Sequence, residues 1–120
     1  IFDAKEDYKS ALADITKAIE IDPAQPDYYY HRALTYCKIN DYKSALTDMD
    51  QLISSNDFKK EAYAYYVRAM IHIEMNDKKA ASKDIYTSFQ LSDDEELEKE
   101  LQKMWQYCGN WDLAIGLRYS

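Results

Sequence analysis

The six residues Asp7-Tyr8-Lys9-Ser10-Ala11-Leu12 return letter for letter as Asp41-Tyr42-Lys43-Ser44-Ala45-Leu46, 34 residues downstream. A self-match at this period restricts a chain to a stack of one supersecondary unit, each copy burying its apolar face on the next. A second self-match, Tyr29-Tyr30-His31-Arg32-Ala33 against Tyr65-Tyr66-Val67-Arg68-Ala69, has a period of 36 and places two extra residues near Asp57 to Glu61. The pairs Asn40-Asp41, Asn76-Asp77 and Gly109-Asn110 fall at matching places and punctuate the units.

Within each unit the apolar residues recur at 3.6 rather than 2, as in Ala11, Ile15, Ala18 and Ile19, and in Leu97, Leu101, Met104, Trp105 and Cys108. Gly and Pro number two each, too few for the turns of a many-stranded sheet, so the chain reads as all-α. The pattern predicts helices over 7–21, 26–39, 42–54, 60–75, 78–91, 94–107 and 111–118. Asp41, Asp77 and Asn110 are expected as N-caps, Pro26 opens the second helix, and Ser92 with Glu95 forms a capping box before the sixth.

A helix–turn–helix unit with a large residue, a small one, an aromatic, then Ala-x3-aromatic or aliphatic resembles the tetratricopeptide repeat. One complete unit reads Tyr29-x2-Arg32-Ala33-x2-Tyr36 and then Ala45-x3-Met49. The next reads Tyr65-x2-Arg68-Ala69-x2-His72 and then Ala81-x3-Ile85. Phe2, Ala11-x3-Ile15 and Pro23 look like the latter part of an earlier unit, and Leu101, Trp105 and Ala114 like the start of a fourth. The resemblance implies an all-α, right-handed superhelical solenoid of antiparallel helix pairs with about seven helices. It is expected to be one domain over 1–120, divided into a partial repeat 1–25, repeats 26–59 and 62–93, and an irregular or partial repeat 94–120. Ala33 and Ala69 are the small residues that let the first helix of a pair lie against the second, which presents Ala45 and Ala81. Gln102 and Arg118 depart from the pattern in the last unit, and Asp57 and Asp93 stand near the closing Pro position.

The net charge of −7 and pI of about 4.7 argue against a phosphate-binding surface, so no nucleic-acid partner is expected. No apolar run approaches a membrane span, so no membrane insertion is expected. Cys37 and Cys108 stand alone, without the spacing of a metal site, and are read as buried free thiols. His72 occupies the site of Tyr36 and is read as a hydrogen-bonded core histidine. Asp48 with Asp50, and Asp93 to Glu96, are read as solvated carboxylates rather than acid–base pairs. With no nucleophile, metal ligand set or phosphate loop at a usable spacing, an enzyme, a metal and a cofactor are not expected.

Subtracting the core stripe from the first helix of each unit leaves Tyr30-Leu34-Cys37 and Tyr66-Met70-Ile73, both at i, i+4, i+7. The same offset continues onto Lys99, Lys103 and Gln106. In the family resembled, first helices line a concave groove that holds peptides or helices. The expected ligand groove is therefore Tyr30, His31, Leu34, Cys37, Lys38, Tyr66, Met70, Ile73, Lys99 and Lys103, apolar along most of its length and basic at one end. The expected function is a protein–protein interaction module for an apolar-anchored peptide or amphipathic helix with a few acidic residues. The alternatives are a structural or self-assembly segment, dimerising or exchanging ends through exposed helix faces, and a regulatory domain of a larger enzyme.

Overall fold

The apolar spacing yields six helices among the described residues, which in the computed structural model are 4–55 and 61–108. They are α1 (Ala4–Ile21), α2 (Pro26–Lys38), α3 (Tyr42–Ser54), α4 (Ala62–Glu74), α5 (Lys78–Leu91) and α6 (Glu95–Tyr107). The helix expected over 111–118, the departure at Arg118 and the turn at Gly109-Asn110 lie outside the described residues. Consecutive helices pack on one another, most extensively α2 on α3 and α4 on α5, which is the all-α solenoid expected from the repeat.

Each Asn-Asp pair ends one helix and begins the next. Asn40 (φ 63°) and Asn76 (φ 61°) adopt the left-handed conformation, which Asn tolerates better than most non-glycine residues. This turns the chain so that Asp41 N donates to the Tyr36 carbonyl (2.9 Å) and Asp77 N to the His72 carbonyl (2.8 Å). The Asp side chains then cap the following helices, accepting from Ser44 N and Ala80 N. At the third described start the expected Ser92–Glu95 box does not form. Asp94 is the N-cap there and accepts from Glu96 N, while Ser92 Oγ accepts from Asp94 N. A carboxylate one residue before the first helical turn satisfies its free N–H groups and faces the positive end of the dipole.

Ala33, Ala45, Ala69 and Ala81 have no exposed surface. They lie where α2 meets α3 and where α4 meets α5, so a side chain no larger than a methyl at each crossing permits close backbone approach. Tyr29, Met49, Leu52, Val67 and Ile71 gather into one apolar cluster around Ala33 and Ala45. Ile85, Leu101, Trp105 and Cys108 form a second around Ala69 and Ala81.

The reading of Asp48 as a solvated carboxylate is overturned, because Asp48 and Asp84 are buried, at 3% and 5% exposure. Arg32 makes a two-pronged pair with Asp48 (2.8 and 2.6 Å) and donates to Thr16 Oγ1 of α1 (3.2 Å). Arg68 repeats this with Asp84 (2.8 and 2.8 Å) and reaches back to Asp50 of α3 (2.9 Å). Thr16 and Asp50 correspond under the 34-residue period, so each guanidinium sits between the second helix of its own unit and that of the unit before. The carboxylate hydrogen bonds, ahead of the opposing cost of burial, raise both arginines above the ordinary guanidinium range. Both arginines are thus charged wherever the protein is folded.

Two expectations follow for stability. Ala33→Leu or Ala69→Leu should overpack a crossing and cost about 1–3 kcal/mol by urea denaturation. Arg68→Met alone should cost about 3–5 kcal/mol by leaving the buried Asp84 carboxylate unpaired, Asp84→Leu alone should cost less because Arg68 keeps Asp50, and the double variant should recover most of the loss of Arg68→Met.

Candidate functional site

Between α2 and α4 runs an open groove of about 370 Å³. Leu34, Cys37 and Lys38 line one wall from α2, and Met70, the buried Ile71 and Glu74 line the other from α4, with Tyr42 of α3 at the end. Leu34 and Met70 hold corresponding places in the two repeats, and both are half-buried. The wall between them is chiefly hydrocarbon, with one cation, Lys38, and one anion, Glu74, at the same end. Tyr42 donates to Asn40 Oδ1 (2.9 Å), and Lys38 Nζ lies 5.7 Å from the centre of the Tyr8 ring on α1.

Of the residues expected on this face, the groove brings together Leu34, Cys37, Lys38 and Met70. Tyr42, Ile71 and Glu74 join them. Sequence reasoning missed these three, since they lie on the helix edge or on α3, outside the i, i+4, i+7 stripe. Tyr30 belongs to the core, at 8% exposure, with its O–H donating to Glu61 Oε2 (2.7 Å) and its ring against Tyr63. Burial first, then the hydrogen bond to Glu61, pushes its phenol above the ordinary range. Tyr66 is half-buried and packs against both apolar clusters, while Ile73 packs against the second. His31 is exposed on α2 and does not line the groove.

The basic end expected from Lys99 and Lys103 is offset by carboxylates on the same helix. Lys99 Nζ lies 3.7 Å from Glu96 and Lys103 Nζ 3.5 Å from Glu100. With Glu95 and Glu98 added, α6 carries more anions than cations. Both lysines are exposed, and their i, i+3 spacing from a glutamate explains the pairing.

His72 Nε2 stands 3.5 Å from Asp84 Oδ2, beside the Arg68 pair, and its Nδ1 has no partner among the described residues. Cys108 is buried, as expected, but Cys37 is only half-buried and borders the groove. Burial, then the field of Glu74, pushes the Cys37 thiol up to about 11, so it is protonated at neutral pH and adds apolar surface rather than a nucleophile. Among the described residues no three His, Cys, Asp or Glu side chains gather as a metal site, and no helix is long and apolar enough to cross a membrane.

The burial of Tyr30 changes what its removal should do. Tyr30→Ala should cost about 3 kcal/mol or more by loss of a buried ring. Tyr30→Phe should cost about 1–2 kcal/mol, since only the bond to Glu61 is lost. Thermal denaturation of both variants measures the difference.

Comparison with known proteins places these features. One family model described as tetratricopeptide repeat matches residues 15–47, and another of the same description matches 1–25 and 62–95. Among curated proteins, the chain is 51% identical over 43 residues to serine/threonine-protein phosphatase T of Aspergillus oryzae (strain ATCC 42149 / RIB 40). That stretch is 36% of this chain and 9% of the phosphatase, so the chain spans under a tenth of that relative's length. Among solved structures, the first TPR of Spaghetti (RPAP3) bound to HSP90 peptide SRMEEVD superposes with a TM-score of 0.69 at 23% identity, covering 88% of this chain and 83% of that one. A crystal structure of MamA gives a TM-score of 0.68 at 19% identity over 91% of this chain and 63% of that one. The elbows, the small residues at the crossings and the repeat period agree with these matches: the chain belongs to the tetratricopeptide-repeat family.

Proposed function

We propose that the chain is a protein-interaction module that holds a peptide or amphipathic helix in the groove between α2 and α4. The observation that carries this reading is the pair Leu34 and Met70, facing a common apolar channel from equivalent places in successive repeats. Side chains serving only the core would be enclosed like Ala33 or Val67, whereas these two line an open groove. A flexible thioether beside an aliphatic side chain accommodates Leu, Ile, Phe or Met anchors of differing shape. The similar repeat structure bound to an HSP90 peptide supports peptide binding as a use of this architecture. With one cation, Lys38, and one anion, Glu74, on its lining, the groove has no net preference for an acidic partner.

Self-association is the second reading. Its support is α1, where Ala11, Leu12 and Ile15 are half-buried and Ile21 is 81% exposed. Light scattering across a dilution series separates the two readings, because the groove reading requires partner binding by a species that does not change mass.

Met70→Glu should abolish capture of a leucine-anchored helical peptide while leaving the helical circular dichroism intact. Thr47→Glu, on the exposed side of α3, should leave capture unchanged. Full binding by the Met70 variant together with loss in the Thr47 variant would move the site to the convex face.

A further inference from the structure

The stripe that enters the groove at Met70 continues toward the start of α4 through Tyr66 to Tyr63, about 10 Å farther along the helix axis. Here the surface changes character. The Tyr63 ring meets Tyr30 edge-on, with centroids 4.7 Å apart at 85°, and leans on Tyr66 at 5.6 Å and 40°. Tyr30 is buried behind it, but Tyr63 remains 42% exposed. Beside Tyr63 lies a shallow hollow bounded by Leu91 and Leu97 and by the carboxylates Glu61, Asp93 and Asp94. Leu91, at 40% exposure, is another of the large apolar side chains that the fold leaves in water.

Among the described residues, the charged groups set against the three rings are chiefly carboxylates, with Lys103 offsetting one of them. Glu61 accepts from the neutral Tyr30 O–H, so the contact does not neutralise it. Burial comes first in raising the Tyr66 phenol, followed by the field of Glu100, which faces it from α6. Asp27 contributes to the same effect at Tyr30. Lys103 approaches Glu100 at 3.5 Å, but Lys99 is engaged by Glu96. Elsewhere this chain lays its own cations over tyrosines: Arg32 over Tyr29, Arg68 over Tyr65, Lys38 over Tyr8 and Lys78 over Tyr107. Among the described residues no such contact involves Tyr30, Tyr63 or Tyr66.

Electron-rich ring faces backed by carboxylates attract a cation and repel an anion. We propose that the Tyr63–Tyr66 surface, backed by Tyr30 and Glu61 and rimmed by Asp93 and Asp94, receives a lysine or arginine side chain of the partner. The occupant is then a segment with an apolar anchor at Leu34 and Met70 and a basic residue about 10 Å away, two helical turns or three extended residues. The chain's net charge of −7 acts in the same direction, raising the encounter rate with a basic segment. This assignment rests on the groove reading for the apolar anchor alone; the cation site has its own residues.

The test uses one leucine-anchored helical peptide in three versions, with lysine, glutamine or glutamate at the polar position two turns from the anchor, measured by fluorescence anisotropy. The lysine version should bind about three- to tenfold more tightly than the glutamine version, and the glutamate version most weakly. Raising the salt should shrink the lysine advantage. Glu61→Gln, which still accepts from Tyr30, and Tyr63→Ala, which removes an exposed ring, should each bring lysine binding down toward the glutamine level and leave glutamine binding unchanged. Equal binding of all three peptides, preference for glutamate, no binding of the lysine peptide, or a lysine advantage that survives both variants overturns the proposal. Met70→Gln separates the two readings. If it removes binding of peptides that show no lysine advantage, the groove stands and the cation site falls; if the lysine advantage persists without Met70, the groove reading falls instead.

Discussion

Two guanidinium groups, each wedged between three helices, set the geometry on which the rest of this solenoid depends. Arg32 joins α2 to α3 and α1, and Arg68 joins α4 to α5 and α3. A rigid planar fork that must meet a carboxylate two-pronged on one side and a second oxygen on the other admits little rotation of helix on helix. The alanine crossings bring the helices of a unit close, and the arginines fix the angle at which one unit follows the next. Desolvation offsets much of the attraction in such buried pairs, so the cost of breaking one exceeds what the intact pair adds to net stability.

The arrangement changes at α6. Under the offset that relates α4 to α6, Arg68 corresponds to Leu101 and His72 to Trp105, and both replacements are fully or almost fully buried. Asp50 of α3 likewise corresponds to Tyr86 of α5, which packs against the same apolar cluster. The third junction is therefore held by hydrocarbon and one indole. A hydrophobic contact is less directional than a two-pronged ion pair, so α6 is free to carry a different surface, an acidic one, beside the apolar groove. Residues that hold the stack and residues that face a partner are thus interleaved on the same helices. On α4, Arg68 and Val67 serve packing, while Tyr66 and Met70, their immediate neighbours and one turn on, reach the open face.

What was legible in the sequence was local. The 3.6-residue apolar rhythm and the Asn-Asp elbows depend on residues within a few positions of one another, the repeat period and the alanine crossings are read by laying one such unit on the next, and fold class and family follow from them. The Arg–Asp pairing left a trace as well. Arg32 with Asp48 and Arg68 with Asp84 share the same separation of 16, and both pairs recur at the longer period. Read one helix at a time, however, an Asp on an amphipathic surface looks solvated, and Asp48 was placed there. Tyr30 departs from the face its spacing predicts for a similar reason. Helical periodicity ranks positions on one helix, but burial of this ring comes from Glu61 and Tyr63 of the next unit, up to 33 residues ahead.

By itself, then, the sequence determined the kind of object: helices of stated length, turned at stated residues and stacked with small side chains at each crossing. Those features are set by backbone conformation and by short-range hydrogen bonds, whose energies depend on neighbours along the chain. Only the tertiary structure decided which carboxylates are buried partners and which rim a surface, which tyrosines are core and which are open, and that Lys99 and Lys103 are offset by their own helix. Electrostatics and burial depend on what stands across a gap of a few ångströms, and in a solenoid that neighbour comes from another repeat, at an angle that no pattern within one repeat specifies.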